Sequence, residues 1–268
     1  MKRRFIAMAL LLSILCLTAC VPNGETPAAT TTTPPFVPIY STREYFETLQ
    51  FYDDVTEQTV HYLFHEPMRQ SDEPKPLVIF LHGKGDSVTA ASPGTATPIT
   101  HALMDLENQS AEYSTYTLVP MTPLAHEGQW EFMQKLAFKQ LLWKLLEDYN
   151  IDEKRIYVSG VSMGGFMTCQ LVSEMPGTFA AAVPLSGAQN VGSALSSHST
   201  AFRIYHVATD AVVDVTWSQA LYEQLLNSGH PNVEYTEYPT GSHISPIYTV
   251  FDTDRDEFFS WLFNQRLP

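Results

Sequence analysis

The chain has 268 residues, 44% of them apolar, and a formal net charge of −14 from 29 acidic and 15 basic side chains. Such an acidic surface repels phosphate backbones, which argues against a nucleic-acid partner and favours neutral or cationic ones. Three cysteines make no disulfide scaffold, and His, Cys and carboxylate residues show no zinc-like spacing, so neither metal nor cofactor is called for.

Lys2, Arg3 and Arg4 precede an apolar run from Phe5 to Leu17, closed by Leu17-Thr18-Ala19-Cys20. Positive, then apolar, then small residues is the layout of an export signal, and a run of about 13 residues is short for a membrane span. The closing tetrapeptide resembles the bacterial lipobox. That resemblance implies removal of residues 1–19, lipidation of Cys20 and an exported chain anchored to a bacterial membrane on its extracytoplasmic side. Cys16 then leaves with the signal, and Cys169 has no disulfide partner and reads as a buried structural thiol. Residues 20–38, with Thr30-Thr31-Thr32-Thr33-Pro34-Pro35, bury too little apolar surface to order themselves and read as a disordered Thr/Pro/Ala tether. Residues 39–268 fit one large domain.

Within that domain Glu44 to Phe51 and Thr59 to His65 read as an antiparallel strand pair. Leu77 to Leu81 is a continuous apolar run, as expected of a strand covered on both faces. A helix around Ile99 to Glu107, a strand at Tyr116 to Val119 and a long helix from Phe132 to Tyr149 follow. Then come a strand at Arg155 to Ser159, a helix from Phe166 to Met175 stopped by Pro176-Gly177, and strands at Ala180 to Leu185, Phe202 to Val207 and Val233 to Tyr238. Helices at Thr216 to Leu226 and Asp254 to Asn264 complete the series. The alternation predicts an α/β domain with a mostly parallel sheet and helices on both faces. The connection from Ser186 to Ala201 is too short for a large cap domain, which predicts an open, shallow site compatible with a bulky or polymeric substrate.

Gly160-Val161-Ser162-Met163-Gly164 is a G-x-S-x-G turn between a strand and a helix, the arrangement that holds a serine hydroxyl at the tip of a strained bend. Three fixed positions recur by chance in roughly one chain of this length in ten, so the strand and helix around them must carry the assignment. A nucleophilic serine needs a base, a carboxylate to orient the base, and donors for the developing oxyanion. In open α/β sheets such groups follow strand carboxyl ends. His243 meets that condition after Val233 to Tyr238, whereas His198 lies in a Ser-rich loop, His206 within a strand and His230 before one. Asp210 and Asp214 both follow Phe202 to Val207; Asp210 is nearer the strand tip, and Asp214 is suited to the start of the next helix. Met163 N–H and Lys84 N–H, in His82-Gly83-Lys84-Gly85, are the candidate oxyanion donors. His61 and His65 are four apart on a predicted strand, without the helical geometry that metal binding at that spacing requires.

With these residues in hand, the chain resembles the secreted esterase branch of the α/β-hydrolases, which includes feruloyl and acetylxylan esterases, polyhydroxybutyrate depolymerase-like enzymes and predicted peptidases. Tyr149 to Gly165, Phe179 to Gly187 and Leu81 to Gly85 carry the likeness, which covers most of residues 75–262. It implies an α/β-hydrolase fold and Ser-His-Asp ester hydrolysis by Ser162, His243 and Asp210, with no cofactor, on feruloyl, acetyl or similar esters. Trp130 matches a tryptophan that follows a proline-rich loop in such esterases and either lines an aromatic or sugar-binding cleft or packs on the core as a helix-start aromatic; Gln189 and Trp217, near the sixth and seventh strand ends, are weaker candidates. Two departures stand out: the family's acid strand ends in His-Gly where this chain has His206-Val207, and Asp214 stands where proline is common. A prolyl-oligopeptidase-like peptidase and an inactive lipid-anchored binding protein are the competing expectations.

Overall fold

The computed structural model describes residues 45–69, 71–85, 96–122, 130–192 and 199–268. The signal segment, Cys20 and the tether lie outside these residues. Eight strands, β1 (Glu47–Asp53), β2 (Gln58–His65), β3 (Lys75–Leu81), β4 (Tyr116–Met121), β5 (Ile151–Val161), β6 (Ala181–Leu185), β7 (Ala201–Val207) and β8 (Val233–Tyr238), form one sheet in the order β1-β2-β4-β3-β5-β6-β7-β8. The β1/β2 and β2/β4 pairs are antiparallel and the rest of the sheet is parallel, the mostly parallel α/β architecture expected from the sequence.

The apolar run of β3 explains why that strand is central: after Lys75 every residue is buried. Its side chains alternate between two cores. Leu77, Ile79 and Leu81 pack with Phe138 and Leu141 of α2 (Phe132–Asp148), Met167 and Leu171 of α3 (Met163–Glu174), and Leu221 of α4 (Thr216–Asn227). Val78 and Phe80 pack on the opposite face with Ile99 and Leu103 of α1 (Thr97–Gln109) and Phe258 and Phe259 of α6 (Arg255–Phe263). Both edge strands carry charge and exposed positions, β1 with Glu47 and β8 with Glu234 and Glu237, which discourages further strand addition.

Parallel registry brings the carboxyl ends of the central strands into line. Leu81 lies opposite Gly160, Val161 opposite Leu185, Leu185 opposite Tyr205, and Val207 opposite Tyr238. Residues just past these ends therefore share one edge of the sheet. Two features differ from the sequence expectation. β5 begins at Ile151, because Arg155 and Arg266 both pair with Asp152 and let charged residues extend the strand beyond its apolar part. Beyond β8, a short α5 (Ser245–Tyr248) and a π-helical turn (Thr249–Thr253) precede α6, in a stretch to which the sequence reading assigns no element. That stretch buries Ile247, Val250 and Phe251 against the second core.

The tightest packing is where β5 turns into α3. A Cβ on Gly164 would fall far inside van der Waals contact distance of Leu81 O, and one on Gly160 would stand 2.8 Å from the same carbonyl. Both clashes are with backbone, which cannot rotate away. Gly164→Ala is therefore expected to destabilise by about 3 kcal/mol or more, as severe overpacking does. Urea denaturation checks it, with wild-type-like stability as the contrary result.

Candidate active site

Ser162 stands between β5 and α3, capping the helix start with φ 56° and ψ −117°, a conformation that few non-glycine residues adopt. Its N–H donates to Leu185 O at 2.8 Å, and its carbonyl accepts from Phe166 N at 3.0 Å. The bend is thus fixed on one side by β6 and on the other by the first turn of α3. The amides of Met163, Gly164 and Gly165 belong to that first turn, where N–H groups have no intrahelical acceptor and the helix end favours negative charge.

The loop after β3 runs across the same bend. A Cβ on Gly83 would be 3.7 Å from Ser162 Cβ. His82, fully buried, accepts from Thr122 N–H at Nε2 (3.1 Å), so its proton sits on Nδ1 and is donated to Gly83 O at 2.7 Å. That carbonyl shares a peptide plane with Lys84 N–H. Gripping Gly83 O from one side therefore fixes the direction of Lys84 N–H on the other. Trp130 lies against His82 with the rings tilted and their centroids 5.5 Å apart.

At the next strand ends, His243 and Asp210 meet: Nδ1–H of His243 donates to Asp210 Oδ2 at 2.6 Å. The Asp210 side chain is fully buried, while that of His243 is 14% exposed. Asp210 Oδ1 accepts from Val212 N (2.8 Å) and Val213 N (3.1 Å). Burial alone would push this carboxyl up; the His243 hydrogen bond and the two amides outweigh it and hold it below the usual carboxylate range. His243 Nε2 is buried without a hydrogen-bond partner among the described residues. His206 also touches Asp210 Oδ2, at 3.2 Å.

Asp214 lies apart from His243 in this network. It is solvent-exposed, and its Oδ1 accepts from Thr216 N (2.9 Å) and Thr216 Oγ1 (2.7 Å), which shapes the entry into α4. Val207, where the resemblance leads one to expect glycine, ends β7 three residues before Asp210, and the His243 contact is made with valine there.

A cavity of about 320 Å³ opens beside Ser162, lined by Lys84, Trp130, Met163, Phe166, Met167 and Gln170. Trp217, 53% exposed, stands edge-on to the lining residue Phe166 at 6.0 Å but does not itself line the cavity. Gln189 is half-buried and does not line it. His65, one of the strand histidines, is occupied elsewhere, with Nδ1 on Tyr45 O (2.8 Å) and Nε2 on Glu107 Oε2 (2.9 Å). Cys169 is buried and its thiol is pushed up to about 12 by burial. Sequence reasoning missed His82, His206 and Ser218; the one available signal was a histidine four residues before an aspartate at a strand end.

Comparison with known proteins gives consistent relatives. Over 117 residues, 42% of this chain, it is 33% identical to poly(3-hydroxyalkanoate) depolymerase C of Paucimonas lemoignei, matching 28% of that protein. It is likewise 33% identical over 75 residues to 11% of a bifunctional acetylxylan esterase/xylanase of Neocallimastix patriciarum. A thermostable esterase superposes with a TM-score of 0.73 at 30% identity, over 83% of this chain and 64% of its own. A ferulic acid esterase shares the fold, with a TM-score of 0.63 at 15% identity over 77% of this chain and 96% of its own. The chain thus spans less than two thirds of the length of the depolymerase, the bifunctional enzyme and the thermostable esterase. Residues 67–252, well over half of the sequence, match the model of one family, and the chain belongs to it: the phospholipase/carboxylesterase family of α/β-hydrolases.

Proposed function

We propose that the protein is a serine carboxylic ester hydrolase that works through an acyl-enzyme on Ser162. The observation that carries this reading is the His243–Asp210 hydrogen bond at the same sheet edge as the strained Ser162 turn. With its Nδ1–H held by Asp210, the imidazole of His243 has only Nε2 left to take a proton. Ser162 Oγ attacks the ester carbonyl carbon as its proton passes to His243 Nε2. The oxyanion so formed accepts from Met163 N–H and Lys84 N–H, donors already oriented before the substrate arrives. Collapse breaks the acyl–oxygen bond, and His243 returns the proton to the departing alcohol. Water, deprotonated by His243, then releases the acid and regenerates Ser162.

The cavity supports an acyl group with an apolar body and a polar end, since Trp130, Met163, Phe166 and Met167 supply apolar wall and Gln170 and Lys84 polar groups. Feruloyl-type acyl groups match that description, and acetyl groups fit within it. The names of the acetylxylan esterase and the ferulic acid esterase agree with this substrate class. We further propose that the enzyme is exported and tethered to a membrane through a lipidated Cys20, on the strength of the charged, apolar and small-residue order of residues 2–20.

A fluorophosphonate probe is expected to label the wild type and not Ser162→Ala; equal labelling of both would overturn the mechanism. In an ester panel, feruloyl and acetyl aryl esters are expected to be hydrolysed and peptide substrates left intact, whereas efficient peptide cleavage would favour a peptidase. Asp210→Asn is expected to lower kcat by about 10⁴-fold, the loss typical of a triad acid, while Asp214→Asn stays within about twofold of wild type. The reverse pattern would move the acid to Asp214. In a bacterial host that processes lipoproteins, the full chain is expected in the membrane fraction and Cys20→Ala in the soluble one; identical fractionation would reject the anchor.

A further inference from the structure

The Asp210 carboxylate serves two histidines. His206 Nε2 stands 3.2 Å from Asp210 Oδ2, the oxygen that also accepts from His243, and 3.1 Å from Val213 O. Both neighbours are acceptors only, so His206 Nε2 carries the hydrogen. The other ring nitrogen, Nδ1, lies 2.7 Å from Ser218 Oγ on α4. His206 and Ser218 are both fully buried. Burial lowers the tendency of His206 to ionise, the Val213 carbonyl and Asp210 oppose this, and the net direction is below the ordinary value. A neutral ring with hydrogen on Nε2 leaves Nδ1 as an acceptor, and the Ser218 hydroxyl donates to it.

We propose that His206 is a positioning residue for the hydrolysis, with Ser218 as the group that fixes its tautomer. This rests on the ester-hydrolase reading of Ser162, Asp210 and His243. The hydrogen bonds converge on one oxygen: Ser218 O–H donates to His206 Nδ1 and His206 Nε2–H to Asp210 Oδ2, while His243 Nδ1–H donates to the same oxygen from the other side. Two consequences follow. The first is geometric: with Oδ1 held by the Val212 and Val213 amides and Oδ2 by His206, the carboxylate plane is set before His243 reaches it. Val213 is gripped twice, donating to Asp210 and accepting from His206, so the loop that carries Asp210 closes back on β7.

The second consequence is electrostatic. A hydrogen bond from His206 draws on the same oxygen that stabilises a protonated His243, so it weakens the hold of the His243–Asp210 pair on its shared proton. The charged and titratable groups that act on His206 or are acted on by it are Asp210, His243, Asp214 on the loop and Glu237 on β8. Only Asp210 is joined to it by a side-chain hydrogen bond among these. Removing the His206 donor should let the pair retain its proton to higher pH.

The test is the pH profile of kcat/KM on a small aryl ester, with active sites titrated by a fluorophosphonate. His206→Phe is expected to lower plateau kcat about tenfold with KM within about twofold, and to move the acid limb up by about half a pH unit. His206→Gln, whose amide N–H can reach Asp210, is expected to restore kcat to within about threefold of wild type and return the limb to its wild-type position. Ser218→Ala should shift both quantities in the direction of His206→Phe by a smaller amount. Loss of thermal stability with an unmoved limb in His206→Phe would reduce His206 to a packing role and overturn the proposal. Should that variant not fold, an unmoved limb and unchanged kcat in Ser218→Ala overturns it equally. Absence of wild-type labelling at Ser162 is a different result: it rejects the ester-hydrolase reading itself.

Discussion

Backbone touching backbone at one edge of the sheet is the constraint on which the rest of the site depends. Gly160 and Gly164 flank Ser162 and pack on the carbonyl of Leu81 at the end of β3, and the space for a Cβ on Gly187 is taken by Ser162 O. No side chain fits at any of these crossings. Because the contacts are between main-chain atoms, they transmit position without rotamer freedom, and Ser162 is located by three strands together. Holding it at φ 56° costs about 1–3 kcal/mol, a strain sustained because the Leu185 and Phe166 hydrogen bonds over-determine the bend. The same closeness lets the Gly83-Lys84 peptide run alongside, so the proposed nucleophile and the proposed oxyanion donors arise from one packing arrangement.

The second constraint is a buried carboxylate, and the molecule contains an instructive pair of them. Glu107 on α1 is fully buried and accepts from His65 Nε2, Met68 N–H (2.8 Å) and the Ser114 hydroxyl (2.7 Å). Asp210 is buried with four donors of its own. Either charge would be costly inside the protein without those partners. What separates the two is the histidine. His65 spends both ring nitrogens, the second on Tyr45 O, and therefore ties β2 and α1 together. His243 spends one, and its Nε2 remains available to a substrate-bound serine. His65 also ends an antiparallel strand, at the opposite edge of the sheet from Ser162, where it lies opposite Thr117 at the start of β4. Chemistry alone would not distinguish these pairs; position and the unspent nitrogen do.

Much of this was legible in the sequence because the relevant signals are local. The β3 run is apolar on both faces, the G-x-S-x-G turn sits between strand and helix, and residues that follow strand ends must gather on one edge. That logic brings His243 and Asp210 to the same place without knowledge of the strand order. The parts that were illegible depend on contacts across long sequence separations. Nothing near His206 reveals that Ser218, twelve residues on, turns its hydroxyl back to it, and nothing near His82 reveals Thr122 forty residues away. Gln189 follows β6 at the right edge, yet it does not line the cavity. The stretch from Ser245 to Thr253 is too short for a helical period to be read from sequence, and its turns become evident only with Ile247, Val250 and Phe251 packed on the core.

The departure at Val207 shows how such a site absorbs a change in its own pattern. Related enzymes are expected to have glycine after the strand histidine, and a valine there needs room. That room lies across the sheet edge, in the loop that carries His243: a Cβ on Gly241 would stand 3.4 Å from Val207 Cγ2 and would also strike the Ser245 hydroxyl. Val207 is itself buried, opposite Tyr238 in the β7/β8 register, so its methyl groups fill the gap between the strands' ends and the loop above. Packing at that point brings the Thr240–His243 turn down toward Asp210, and the short His243–Asp210 hydrogen bond is made from a loop held by apolar contact as well as by charge.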